Sequence, residues 1–384
     1  MSPPPERLDL LIFSSVHWHF TWQRHHEVAA GLARLGYGVT YLEPIPKRWP
    51  GPGELGRVLG RLRGRHEDAG LVRQRLPARV RLRAVTAAPD TGPVSRMLNR
   101  SLVVPRAARR LGRELGRPLV ILNYLPLAAS VALQRRLAPD LAIYDCVWDW
   151  PNDPYSRPGV VREEELLAAV DLVFADAPYL FERMRAAHDH VERVLPAVDY
   201  DLYEPARRRR GSGGAGGARL RCAYFGAVGA NVDRGLLVRL SHEFRLRVIG
   251  PVQERLEGLA TETELLGAVP QAQVPELLAD ADVLVLPYRE AGHSRGVVPA
   301  KTFECLATGK PTVAKGLPSL AEMGDLFYLA ADADGFVAAV ERAAAEPSEA
   351  RERRLEAARR NTWRQRAAEI DGHIRQRLAA VRGR

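Results

Sequence analysis

The stretch LDLLIFSSVHWHFTWQRHHEVAAGLARLGYGVTYLEP, from Leu8 to Pro44, decides the fold class. LDLLIFSS is an apolar run of strand length. Trp22 to Leu35 carries apolar residues at helical spacing and stops at Gly36, and GVTYLEP, from Gly38, is a second strand-like run. Strand, helix and strand in that order make a βαβ unit, whose two strands lie parallel in one sheet. PLVILNY from Pro118, LAIYDCV from Leu141 and VDLVFAD from Val170 extend the sheet, with a helix from Glu163 to Ala169 before the last of them. This alternation predicts one doubly wound α/β domain.

The segment ARRRRGSGGAGGAR, from Ala206, cannot build a core and suits a flexible link. Beyond it the alternation restarts. Strands in LRCAYFG, FRLRVIG, DVLVLPY and KPTVAKG are separated by helical stretches in VDRGLLVRLS, VPELLADA and PAKTFECLATG, and a further helix runs from Gly335 to Ala345. A chain of 384 residues is long enough for two cored domains. The expected organisation is an N-terminal Rossmann-like domain over 1–205, a linker over 206–218 and a C-terminal Rossmann-like domain over 219–360. A helical tail over 361–384, after the polar segment EPSEARERR, is expected to pack on or near the first domain. Doubly wound folds bind ligands beyond the carboxyl ends of their strands, so two in tandem predict a substrate cleft between them.

No apolar run approaches the ~20 residues of a membrane span. The N-terminus, MSPPPERLDLLIF, lacks the basic head and cleavage site of a secretory signal, so a cytoplasmic location is expected. Cys146, Cys222 and Cys305 lie far apart in apolar contexts, without metal-ligand spacing, and read as reduced buried thiols. The net charge of +10 is carried almost wholly by arginine. Between Arg57 and Arg117 there are 16 arginines against Glu67, Asp68, Asp90 and Glu114, so this segment alone exceeds the net charge of the whole chain. Its readings are a solvated arginine surface, contact with an anionic membrane or an acidic acceptor, and nucleic acid. No nucleic-acid motif accompanies the arginines, and no nucleic-acid partner is expected.

VVPAKTFECLATGKPTVA, from Val297 to Ala314, holds the chemistry most open to reading. A proline at the first turn of a helix, then Lys301 and Glu304 three residues apart, puts a cation and a carboxylate on one face near the start of that helix. Lys301, with backbone N–H groups around Val298 and Ala300, suits a diphosphate, and Glu304 suits ribose hydroxyls. A plain surface ion pair is the other reading of this spacing.

This Pro, Lys, Glu, short helix and Gly-Lys-Pro resembles the donor site of the group 1 glycosyltransferases (family 4), in particular a teichuronic-acid-type branch. The resemblance covers most of the chain. The opening βαβ unit, YDCVWDW, EEELLAAVDLVFADAPYLFERM and VERVLPAVDYDLY match the family's first domain, while CAYFGAVGANVDRGLL, RVIGP, VPELLADADVLVLPY and the region of Trp363 match its second. The resemblance implies a GT-B fold: two Rossmann-like domains facing each other across a cleft, with the donor held by the second and the acceptor by the first. Lys301 then neutralises the donor diphosphate, the main electrostatic task of this chemistry, and Glu304 grips the ribose. Gly226 to Gly229 let backbone approach the phosphates, or simply make a tight turn, with Arg234 as a second cation. Gly250, Pro251, Val269 and Pro270 fall where the family's loops surround the base.

One position departs from the family. Many members carry a glutamate eight residues before the ribose glutamate, and Gly296 stands there in this chain. Glu290, His293 and Arg295 of the same loop either supply the missing contact to the donor sugar or are solvated. In the first domain, His17, Trp18 and Arg24 follow the first strand, as an acceptor or sugar-facing loop or as a packed aromatic corner. Asn123 and Asp149 stand at strand ends where the family brings polar groups to the transferred sugar or the acceptor. Asp149 is the candidate base, or else it caps a turn. WDW and DYD do not fit the metal-binding Asp-x-Asp of the other large glycosyltransferase fold, so no metal and no cofactor are expected.

The resulting expectation is transfer of a sugar, with retention, from a UDP-, GDP- or dTDP-sugar to a lipid-linked sugar, a polysaccharide precursor or a small natural product. A nucleotide-sugar epimerase or hydrolase, and a non-catalytic nucleotide-binding protein, are the alternatives on the same fold. A dinucleotide oxidoreductase needs Gly-x-Gly-x-x-Gly after the first strand, where this chain has FSSVHWHF.

Overall fold

The computed structural model of the chain describes residues 7–19, 22–46, 49, 76–152, 161–208, 219–253, 255–290 and 296–383. They form two compact units, one of residues 1–195 with 367–384 and one of 196–366.

The first unit holds a seven-stranded, wholly parallel sheet. Its strands are β1 (Asp9–Phe13), β2 (Gly38–Leu42), β3 (Val80–Arg83), β4 (Leu119–Asn123), β5 (Leu141–Cys146), β6 (Leu172–Ala175) and β7 (Val191–Arg193), in the spatial order β3-β2-β1-β4-β5-β6-β7. Every residue of β1, β2, β4, β5 and β6 is buried, as a parallel sheet covered on both faces requires. Strand order reverses between β1 and β4, whose registers run from Asp9 opposite Leu119 to Phe13 opposite Asn123. The loops leaving these two strands therefore open at the switch point of the sheet.

The second unit repeats the plan. β8 (Arg221–Phe225), β9 (Arg245–Ile249), β10 (Glu264–Leu265), β11 (Val283–Pro287), β12 (Thr312–Lys315) and β13 (Tyr328–Ala330) lie parallel in the order β10-β9-β8-β11-β12-β13. The helices Arg234–Glu243 and Ala333–Ala344 bury Leu236, Leu240, Phe336 and Val340 with Tyr224, Val248 and Val285 of the strands. The switch point falls between β8 and β11.

The helix Thr302–Thr308 ends at Gly309, whose φ of 70° is left-handed, and packs against the helix Ser348–Arg359. Most of the polar segment EPSEARERR lies in that second helix. Within it Arg354 faces inward: it is fully buried, donates to the Gly309 carbonyl at 3.2–3.3 Å, and pairs with the nearly buried carboxylate of Glu346. The guanidinium thereby satisfies the carbonyl end of the helix that carries Glu304.

The division between units falls at Leu195 and Pro196, ahead of the expected boundary at 205. Residues 196–208 belong to the second unit because Arg207 donates to the Ala307 carbonyl and stacks over Tyr200, 3.9 Å from its ring centre. Of the expected linker, 206–208 close a short helix, Glu204–Arg208, and 209–218 lie outside the described residues. The last helix, Trp363–Arg382, begins in the second unit and continues in the first. There it buries Ile370, Ile374 and Leu378, accepts a hydrogen bond from the Tyr37 hydroxyl at Asp371 (2.6 Å), and donates one from Arg377 to the Asp171 carbonyl. The three cysteines are free and buried. Among the described residues, no helix is long and apolar enough to cross a membrane.

Candidate functional site

The carboxyl edge of the second sheet brings several sequence-selected residues together. β8 ends at Phe225 and is followed by Gly226 at φ 122°, and β9 ends at Ile249 and is followed by Gly250 at φ 140°. The two loops are stitched by backbone. Gly226 N–H donates to Ile249, Val228 N–H to Pro251 and Gln253 N–H to Val228, at 2.8–3.0 Å. A Cβ on Gly250 would sit 2.2 Å from the Gly226 carbonyl oxygen, and one on Gly226 would sit 2.1 Å from Lys301 Nζ. Both positions need glycine for conformation and for space. Gly229 faces Gln253, whose Oε1 would lie 2.7 Å from an added Cβ.

Lys301 immediately precedes the helix Thr302–Thr308 and reaches back to β8, where its ammonium donates to the Phe225 carbonyl and lies 4.5 Å from the Tyr224 ring centre. Burial disfavours the charge, but the neighbouring Tyr224 and Tyr288 outweigh it and hold the pKa above the ordinary lysine value. Lys301 is a fixed cation at the mouth of a glycine-lined turn. Glu304 stands in the first turn of the same helix beside Tyr203. Burial raises the Tyr203 pKa far above its usual value, and its hydrogen bond with the Glu304 carboxylate adds to that. Val298 is buried and Ala300 exposed just before this helix.

Other assigned positions are more dispersed. Gly250 N–H donates to Gly267 O at 2.7 Å, which ties the Gly250–Pro251 loop to the segment leading to half-buried Val269 and Pro270. Arg234 is the first residue of its helix, and its guanidinium lies toward the Arg255 carbonyl. Glu290 is exposed, while His293 and Arg295 lie outside the described residues.

Sequence reading missed Lys315, the last residue of β12. Its ammonium pairs at 3.1 Å with Asp233, which caps the helix Arg234–Glu243 by accepting from Leu236 N–H. Burial works against the Asp233 charge, but that N–H and Lys315 hold the carboxyl below its usual range. A cation ending a strand at the ligand edge was the available signal. A cavity of about 450 Å³ lined by Arg221, Arg245, Arg247 and Asp280 opens at the amino ends of β8 and β9, opposite this edge. Its charges answer one another, with Arg247 paired to Glu264 and Asp280.

In the first unit the structure corrects three expectations. Arg24 faces inward: its guanidinium donates twice to Asp145 at 3.0 Å and also to the carbonyls of Val194 and Leu195, at 6% exposure. A ligand-facing cation this is not, because its donors are consumed by a carboxylate that is itself fully buried. Trp18 is also fully buried, edge-on to Trp22, His26 and Tyr41 with centroids 5.0–5.5 Å apart, so the loop after β1 is the packed aromatic corner. Asn123 is fully buried, its amide donating to Gln134 and its carbonyl accepting Leu125 N–H, so it faces the interior and not a ligand.

Asp149 is 1% exposed, accepts from Asn152 at 2.8 Å, and stands 3.8 Å from Arg183, which is paired with Glu163. Its carbonyl opens the turn Trp150–Asn152. His17 differs. It is half exposed, and its Nδ1 contacts the carboxylate of Glu43, which also accepts Trp18 N–H. Burial raises the Glu43 pKa, but contact with His17 overcomes that and lowers it. An imidazole oriented by a carboxylate is the arrangement in which the other ring nitrogen can take a proton.

Against known proteins, residues 233–346 match the family described as glycosyl transferases group 1. The second unit contains a group 1 glycosyltransferase domain. The putative teichuronic acid biosynthesis glycosyltransferase TuaH of Bacillus subtilis is 24% identical over 210 residues, which is 48% of this chain and 52% of that one, so the chain matches about half the length of this curated relative. Among solved structures, the sucrose-phosphate synthase of Thermosynechococcus elongatus superposes with a TM-score of 0.67 at 15% identity, covering 98% of this chain and all of that one. Anabaena HepE, solved with UDP and glucose, superposes at 0.65 and 12% identity, covering 97% of this chain and 100% of its own. A UDP-forming trehalose-phosphate synthase from Burkholderia xenovorans gives 0.61 at 13% identity, covering 98% and 99%. The group 1 domain encloses Lys301, Glu304 and Lys315. The chain has the GT-B fold.

Proposed function

We propose that this protein is a glycosyltransferase that moves a sugar from a nucleoside diphosphate sugar to an acceptor hydroxyl. The observation that carries the reading is the convergence of Gly226, Gly250 and the Lys301 ammonium at the carboxyl end of β8. In this reaction the acceptor oxygen bonds to the anomeric carbon, the bond from that carbon to the diphosphate breaks, and the hydroxyl proton leaves to a base. Negative charge grows on the departing diphosphate, where a preorganised cation contributes most. Lys301 holds that position with no reorganisation, and Glu304, steadied by Tyr203, takes the ribose hydroxyls. Lys301 as the neutralising charge supports transfer without a metal, and likeness to the group 1 family supports retention.

His17, backed by Glu43, is half exposed and placed to receive that proton. The structural neighbour solved with UDP and glucose favours a UDP-sugar, and the curated relative's description as a teichuronic acid biosynthesis glycosyltransferase favours a polysaccharide precursor as acceptor.

Calorimetry of UDP, GDP and dTDP with the full chain tests the donor site. One nucleotide binds at micromolar strength, and Lys301→Ala and Glu304→Ala each weaken it by about 1–3 kcal/mol, the scale of a lost charged hydrogen bond. Unchanged binding in both variants, with melting temperatures preserved, sinks the assignment. Nucleotide release with no glycosylated product identifies an epimerase or hydrolase, and binding without turnover a non-catalytic protein.

A further inference from the structure

Residues 93–114 form one continuous helical rod. Pro93–Leu98 runs into the wide turn Asn99–Val103 and then into Val104–Glu114, with Leu98, Asn99, Val103 and Val104 all right-handed. No residue of its first segment is buried. Val94, Met97 and Leu98 share a face at three- and four-residue spacing, and Leu102 continues it. These four side chains are 73%, 66%, 43% and 42% exposed, which is unusual for large apolar groups standing together. Beside the start of the rod, Trp49 is 58% exposed and donates its indole N–H to Thr91 Oγ1 at 3.1 Å.

The charge around this apolar stripe has one sign. From Thr91 to Arg117 the sequence holds seven arginines and a single acidic residue, Glu114, which is engaged by Arg83 and Arg110. Arg96, Arg100, Arg106, Arg109 and Arg113 are exposed. A protein partner with an apolar groove satisfies the stripe without using the exposed arginines of the same rod. A bilayer satisfies both at once, because acyl chains take the apolar face while anionic headgroups take the guanidiniums, whose stems lie along the boundary. An indole beside the stripe fits the same boundary, where tryptophan is enriched.

We propose that the rod Pro93–Glu114, with Trp49, docks the first unit on an anionic lipid surface, inserting Val94, Met97, Leu98 and Leu102 shallowly into the headgroup region. The proposal does not depend on the donor-site reading.

The test is sedimentation of the full chain with vesicles of phosphatidylcholine alone, and of phosphatidylcholine mixed with phosphatidylglycerol, at low and high salt. The expected result is binding to the mixed vesicles that weakens as salt screens the arginines. Met97→Gln combined with Leu98→Gln should lower that binding about ten-fold or more through lost apolar burial. Arg96→Gln combined with Arg100→Gln should flatten the salt dependence. All four side chains are exposed, so unchanged melting temperatures confirm that the variants fold. Equal binding to both vesicle types, or no effect of the Met97 and Leu98 pair, overturns the proposal. So does a dimer in solution that this pair dissolves, since the face then belongs to a second copy of the chain.

Discussion

Replacing Arg24 with methionine separates the two places where that residue was expected to act. The structure makes it an internal tie, holding the start of the helix Arg24–Arg34 to Asp145 and to the carbonyls of Val194 and Leu195. Methionine fills much of the volume but removes the charge, leaving Asp145 buried beside Asp176 with no cation. Breaking one side of a buried pair costs about 3–5 kcal/mol. Total stability for a domain is roughly 5–15 kcal/mol, so this is a large fraction of it. At about 2–4 °C per kcal/mol for a unit of this size, the first unit should melt roughly 6–20 °C lower by scanning calorimetry. Adding Asp145→Asn removes the orphaned charge and should recover part of the loss, because the two sites are strongly coupled. Nucleotide affinity, which the proposed donor site assigns to the second unit, should not move in either variant. A melting temperature within about 2 °C of the parent, together with weakened substrate binding, refutes the argument, since it places Arg24 at a ligand instead of in the core.

Other substitutions test neighbouring points. Gly250→Ala puts its Cβ against backbone at Gly226 and in left-handed space, so it should cost more than the ~1–3 kcal/mol of strain alone and abolish nucleotide binding. Gly226→Ala meets the Lys301 ammonium, a side-chain end and not backbone, so it should displace that charge from the Phe225 carbonyl and weaken binding more than it lowers the melting temperature; calorimetry and thermal melting on both variants check the contrast. Arg354→Leu strands the Glu346 carboxylate and the Gly309 carbonyl, and should destabilise the second unit by about 3–5 kcal/mol in urea unfolding. Burial, then repulsion from Asp145, raises the Asp176 pKa to about 7 despite Arg24, so between pH 4 and 7 the folded state binds a proton that the unfolded chain lacks and stability falls as pH rises. Buried His26, pushed down to about 4, has the opposite slope over the same window, so the parent's own profile does not isolate Asp176. Asp176→Asn should therefore raise the melting temperature more at pH 8 than at pH 4, and an equal shift at both contradicts the assignment.

Much of the architecture was legible because buried parallel strands are nearly continuous apolar runs, as in LVILN and VLVLP. The edges were not. β7, VER, and β10, EL, are short and partly solvated, and their pairing comes from the neighbouring strand, with no pattern of their own. The rod Pro93–Glu114 was also missed, since its arginines drown the apolar periodicity.

At the candidate site, the positions that meet at the carboxyl edge of the second sheet were readable: glycines after a strand, and a lysine before a helix. Arg24, Trp18 and Asn123 show the limit. Residue type and a position at a strand end suit a ligand and a buried counter-group equally, and only the partner decides. Asp145, the partner that captures Arg24, is 121 residues away in sequence.

The last helix has a consequence for how the protein is made. Ile370, Ile374 and Leu378 complete the first unit, but they leave the ribosome only after the whole of 196–366. At about 5–20 residues per second, the first sheet waits roughly ten to thirty seconds with the apolar surface beneath those side chains uncovered. During that interval Tyr37 has no Asp371 to bond, and the second unit can finish folding before the first. The order in which the units finish folding can thus run against sequence order, and the incomplete first unit is the species that must be kept from aggregating.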